Sequence, residues 1–178
     1  SNSVVSIIIS KNIPKYKTIN LNPFNDFDLF GFGGITQKVP TGESQKQEVG
    51  GGSGFIISED GIIVTNKHVV EDEAAIYSVV LNNGKTYDLD VLDRDVVTDV
   101  AICKIKNLDK NEKLIPLVLA DSDNLKLGQT VIAIGNALAE FKNTVTKGII
   151  SGVGRSISAG NNYSGTLEKL ENIIQTDA

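Results

Sequence analysis

Between Val4 and Ile105, short apolar runs are separated by turn-forming residues at the spacing of strands. The constraint is tightest at two points. Gly54–Ser58 and Gly61–Thr65 flank Glu59-Asp60, and Gly61 can take the positive φ that a tight hairpin needs. Ala75–Leu81 and Lys85–Asp93 flank Asn82-Asn83-Gly84, a second hairpin signal. In its second arm Tyr87, Leu89 and Val91 alternate with Asp88 and Asp90, as on a half-buried strand. Val4–Ser10 is rich in β-branched residues, and Val100–Ile105 is apolar throughout apart from Lys104. Six strands before residue 106 predict a closed small barrel or a sandwich.

The pattern then changes. Asn107–Lys113 is polar and reads as a turn, and residues 114–128 read as a connection. Strand signals resume at Thr130–Ile134, Thr144–Val153 and Asn172–Thr176. A second barrel built on three strands is half built, and its edges carry unpaired N–H and C=O groups. The expected division is a first barrel over 1–113, a connection over 114–128 and an incomplete second barrel over 129–178. Two stretches stand apart. Asn20–Gly34 holds Phe24, Phe27, Phe30 and Phe32, which suits an interface or local packing over the first barrel. Gln37–Gly52 is polar and glycine-rich and is expected to be a mobile loop.

Composition excludes several classes. Apolar residues make up 40% of the chain and charged ones 22%, enough for a packed core. The net charge of −5 argues against nucleic acid as a partner. The apolar start, Val4–Ile9, is far too short to span a membrane. One histidine and one cysteine cannot build a His/Cys zinc site, and the acidic residues lack metal-loop spacing, so neither metal nor cofactor is expected. Cys103 lies in an apolar run and reads as a buried small hydrophobe.

His68 is the only histidine and directly follows the strand Gly61–Thr65. On that stretch alone, a structural histidine near a strand end is the better reading; the alternative is a general base whose tautomer is fixed by a carboxylate. Asp93, Asp95 and Asp99 compete for that second role. Asp99 is best placed, at the mouth of the strand Val100–Ile105, although taken by itself a turn residue capping the strand entry is the better reading. Asp93 and Asp95 flank Arg94 and read as a solvated face. No serine has a setting for attack: Ser53 lacks the second glycine of a nucleophile elbow, Ser151 lacks the flanking pattern, and Ser164 lies in a polar loop.

Together these segments resemble the HtrA/Deg family of trypsin-like serine proteases. Gly52-Ser53-Gly54-Phe55-Ile56-Ile57-Ser58, Asp60-Gly61 and Val64-Thr65-Asn66-Lys67-His68-Val69-Val70 look like the segment around that family's catalytic histidine. Thr98-Asp99-Val100-Ala101 is similar to the segment of its catalytic aspartate. Ala120 to Gly128, followed by Val131-Ile132-Ala133-Ile134-Gly135-Asn136, is similar to its interbarrel connection and next strand. Thr144 to Ser151 and Ile174-Gln175-Thr176-Asp177-Ala178 resemble the strands before its nucleophile loop. After Asn136 the chain departs: Ala137-Leu138-Ala139-Glu140-Phe141 stands where the family has proline and a glycine-bearing turn.

The resemblance implies an all-β, trypsin-like double β-barrel, its first barrel six-stranded and complete and its second only partly present. It makes His68 the general base and acid, and Asp99 the residue that orients it. It implies a serine endopeptidase that acts on unfolded polypeptides in protein quality control, in the cell envelope, and that assembles as a homo-oligomer, a trimer in the family. The serine is expected in a C-terminal part beyond Ala178, so this chain alone is expected to be inactive. The alternative is a non-catalytic scaffold or binding protein that reuses the barrel.

Overall fold

The computed structural model describes residues 1–20, 36–95, 97–137, 141–160 and 167–178. Six strands close a barrel: β1 (Val4–Asn20), β2 (Thr36–Ile56), β3 (Ile62–Asn66), β4 (Ile76–Val80), β5 (Thr86–Arg94) and β6 (Val100–Ile105). Their order around the barrel is β1-β2-β3-β6-β5-β4, all antiparallel, with β4 returning to β1 through pairs such as Ile7 with Val79. Three more strands, β7 (Thr130–Ala137), β8 (Phe141–Gly160) and β9 (Leu167–Thr176), form a second antiparallel sheet. The all-β, trypsin-like fold expected from the sequence is the one observed.

Both hairpin signals act as read. Gly61 has φ +90° and Gly84 has φ +84°, values that favour glycine. Between the hairpins the barrel fills with Val5, Ile7, Ile56, Ile63, Val79, Leu89 and Ile105, all buried. Burial of one such side chain contributes about 1.5–3 kcal/mol. Cys103 sits fully buried in this core, and burial pushes its thiol up to about 11. Leu114 also enters the core, and the Leu117 N–H donates to the Ile56 carbonyl at 2.8 Å, so the segment after β6 is tied back onto β2.

One expectation is overturned. Gln37–Gly52, read as a mobile loop, lies within β2. Residues 10–20 of β1 and 36–48 of β2 pair with each other, from Ser10 with Glu48 to Asn20 with Thr36, with shifts in register near Ser10 and Lys15. The stretch is polar because this ribbon is solvated on both faces beyond the barrel, not because it lacks structure. Backbone pairing with β1 supplies what the side chains do not. The phenylalanine cluster at 24–32, and residues 138–140 of the loop that departs from the family pattern, lie outside the described residues. Among the described residues no helix is long and apolar enough to cross a membrane.

Candidate active site

The site forms where β3 ends and β6 begins. These strands are antiparallel neighbours, and their ladder finishes with Thr65 opposite Ala101 and Asn66 opposite Val100. The residues just beyond the ladder, Lys67 and His68 on one side and Asp99 on the other, therefore face each other although 31 positions separate His68 from Asp99. The Lys67 N–H donates to the Asp99 carbonyl at 2.9 Å and extends the ladder by one rung.

Past Asn66 the chain turns through a single 3₁₀ turn, Lys67–Val70, which buries Val69 and Val70. Glycine on β2 makes room for it. A Cβ placed on Gly52 would come within 2.5 Å of a Val69 methyl, so only a bare backbone lets the turn settle there. One of the glycines that suggested a loop, Gly52, is thus where the turn holding His68 packs against a strand. From the other side, Arg94 Nε donates to the Val70 carbonyl at 2.7 Å.

Asp99 meets His68 through both carboxylate oxygens. Oδ1 accepts the His68 backbone N–H at 2.9 Å, and Oδ2 lies 2.8 Å from the ring Nδ1. Asn66 Nδ2 donates to the same Oδ2 at 3.1 Å and to the Asp99 carbonyl at 3.3 Å. The Asp99 side chain is 14% exposed and that of His68 is 62% exposed. Partial burial alone would raise the Asp99 carboxyl, but the hydrogen bonds from the His68 backbone and ring, with the Asn66 amide, outweigh it. The carboxyl is held below its ordinary value. An ionised carboxylate only accepts, so Nδ1 must carry the proton, and in the neutral ring the lone pair is then on Nε2.

Asp99 has φ +52°, in the left-handed region that aspartate tolerates better than most residues. The loop that imposes this is built by Asp95. Its Oδ1 accepts the Val97 N–H at 2.7 Å and its Oδ2 accepts the Thr98 hydroxyl at 2.8 Å. Those bonds, the Val97 amide first, keep the Asp95 carboxyl below its ordinary value. Asp95 is exposed, as the sequence predicts, and is in addition the organiser of this loop. Asp93 caps the backbone N–H of Arg94 at 2.9 Å and takes no part in the contact with His68.

Of the serines weighed in the sequence, Ser53 lies in β2 and its carbonyl accepts the Thr65 hydroxyl at 2.8 Å. Ser151 is an exposed residue of β8, and Ser164 lies outside the described residues. Sequence reasoning missed the parts played by Asn66, Gly52, Arg94 and Asp95. Asn66 stood inside the quoted histidine segment, and the Asp-x-x-Thr spacing of Asp95 and Thr98 is a turn signature that was open to reading. Among the described residues no group of three or more His, Cys, Asp or Glu side chains is placed to hold a metal ion. A cleft of about 580 Å³ lies between the barrel and β7, lined mainly by apolar side chains including Val64, Leu117, Ile132 and Ile134, and reaching Asn66.

Comparison with known proteins points the same way as the geometry. Residues 52–178 match the model of a family described as a trypsin-like peptidase domain. HhoA of Synechocystis, named as a serine protease, is 42% identical over 142 residues, which are 80% of this chain and 34% of HhoA. A DegP-like periplasmic serine endoprotease of Chlamydia trachomatis is 39% identical over 155 residues, covering 87% of this chain and 29% of the relative. That of Rhizobium meliloti is 40% identical over 124 residues, 70% of this chain and 24% of the relative. The crystal structure of Deg5 superposes with a TM-score of 0.64 at 29% identity, covering all of this chain and 68% of Deg5. The chain thus spans about a third or less of the length of these curated relatives.

Proposed function

The chain belongs to the trypsin-like peptidase family, and on that premise we propose that the intact protein is a serine endopeptidase in which His68 is the general base and Asp99 its orienting carboxylate. The observation that carries this reading is the 2.8 Å contact between His68 Nδ1 and Asp99 Oδ2. With the proton fixed on Nδ1, Nε2 is free to take the proton of an attacking serine hydroxyl. The imidazolium so formed sits against a carboxylate already ionised, which lowers the cost of the charge. The same nitrogen then returns the proton to the leaving amine. The nucleophile in this proposal is a serine that residues 1–178 do not supply.

The substrates we assign are unfolded or misfolded polypeptides, the location is extracytoplasmic, and the role is protein quality control. The relatives named as periplasmic serine endoproteases support location and reaction class. We further propose a homo-oligomer, a trimer. The β1–β2 ribbon supports assembly, since it exposes Ile13, Tyr16, Ile19 and Val49 beyond the barrel.

The test uses the full-length protein. Labelling by a fluorophosphonate probe and cleavage of unfolded casein are expected, both abolished by His68→Gln. A protein that folds and assembles yet takes no label and cuts nothing is the scaffold instead, and the proposal fails.

A further inference from the structure

Asn66 is the last residue of β3 and the residue before the 3₁₀ turn, with an extended backbone at φ −75° and ψ 143°. At that position a polar side chain ordinarily caps the turn that follows. This one makes no capping hydrogen bond. Its amide reaches across the end of the β3–β6 ladder instead, to the Asp99 carboxylate at 3.1 Å and the Asp99 carbonyl at 3.3 Å. Both targets are pure acceptors, so the NH₂ end of the carboxamide must face them.

We propose that Asn66 is a positioning residue that clamps Asp99 for its work on His68, an inference that rests on the assignment of His68 and Asp99 as base and orienting carboxylate. One amide grips two oxygens of the same residue, one on its backbone and one on its side chain. That grip does two things. It holds Asp99 in the left-handed conformation, φ +52°, which most side chains avoid. It also fixes Oδ2, the oxygen shared with the His68 ring, so that the carboxylate cannot rotate away from Nδ1. Charge follows geometry: each donor on Oδ2 favours the ionised carboxylate, and only the ionised form obliges Nδ1 to keep its proton. Asn66 acts through Asp99 and need touch no substrate.

The experiment compares Asn66→Ala with Asn66→Asp in the full-length protein. The extended backbone of Asn66 accommodates either residue, and melting curves followed by circular dichroism check that both variants fold. Aspartate keeps the shape of asparagine but aims an acceptor, and a negative charge, at an acceptor. If Asn66 merely filled space, the aspartate variant would be the better enzyme. If it clamps the carboxylate, the order is reversed. We expect kcat to fall by about tenfold in Asn66→Ala and by about a hundredfold in Asn66→Asp, with KM within about twofold of wild type. An aspartate variant at least as active as the alanine variant, or an alanine variant with wild-type kcat, overturns the clamp.

A second readout does not depend on turnover. The His68 Nδ1–H proton, assigned by its loss in His68→Gln, should give a downfield resonance in the wild type that shifts or broadens in both Asn66 variants. An unmoved resonance overturns the clamp, even if casein is never cut. A shifted resonance in a protein that cuts nothing upholds the clamp and removes the endopeptidase reading alone.

Discussion

Asp99 grips His68 at two points, taking the backbone N–H on Oδ1 at 2.9 Å and the ring Nδ1–H on Oδ2 at 2.8 Å. The two bonds have different consequences. The first fixes where the histidine backbone begins its turn; the second fixes which ring nitrogen carries the proton. Both depend on the left-handed backbone of Asp99, which the Asp95 carboxylate prepares by ordering Val97 and Thr98.

Asp99→Asn tests the second bond. An amide in place of the carboxylate presents an NH₂ group that pairs with an unprotonated Nδ1, which moves the ring proton to Nε2 and leaves no base facing the nucleophile. In the full-length protein kcat is expected to drop by roughly 10⁴-fold, with fold and KM largely kept. Steady-state hydrolysis of a peptide substrate measures it, and activity within tenfold of wild type would show that His68 works without this carboxylate.

Stability should carry a pH signature from the same residue. The Asp99 carboxyl is lowered in the folded state, so its ionised contacts favour folding above the ordinary aspartate value of about 3.9. That contribution is lost as pH falls below this value and through the lowered folded one. Urea midpoints for wild type and Asp99→Asn are expected to differ most at pH 5–7 and to converge below about pH 4. A gap that widens on acidification contradicts the sign.

Gly52→Ala is expected to cost about 1–3 kcal/mol, because the new methyl must displace Val69 from its seat. Since Val69 adjoins His68, kcat should fall along with the denaturation midpoint. Gly135→Ala is a control, because a Cβ there meets its nearest described neighbour, the Ser53 hydroxyl oxygen, at 3.6 Å, an ordinary contact. Equal effects at both positions would remove the packing explanation.

Cys103 should be inert in the native protein. Its burial in the barrel and a thiol pushed up to about 11 leave little thiolate at neutral pH. Peptide mapping after brief iodoacetamide treatment is expected to find Cys103 unmodified until denaturant unfolds the barrel. Rapid native labelling would mean that the core opens locally.

Much of the fold was legible because strand and turn signals are local. The Asn82-Asn83-Gly84 turn, Gly61 and the alternation of Tyr87, Leu89 and Val91 each report on their own few residues. The β1–β2 ribbon was not legible, since Gln37–Gly52 has no apolar periodicity and is a strand through its partner. The candidate site was half legible. His68 and Asp99 stood out through their neighbours in sequence, while Asn66, Gly52, Arg94 and Asp95 act through contacts that cross from one strand to another.

By itself the sequence determined where most strands and turns of the barrel fall, because the chemistry of each is contained in a few consecutive residues, the β1–β2 ribbon excepted. Only the tertiary structure brings the favoured acid, Asp99, against the histidine and gives the other two their separate places. Asp93, Asp95 and Asp99 differ little as side chains. The antiparallel register of β3 on β6 sets Asp99 opposite His68, turns Asp95 into the builder of its loop, and leaves Asp93 to cap Arg94. Register is a property of two strands far apart in the chain, fixed by the whole barrel closing around its core.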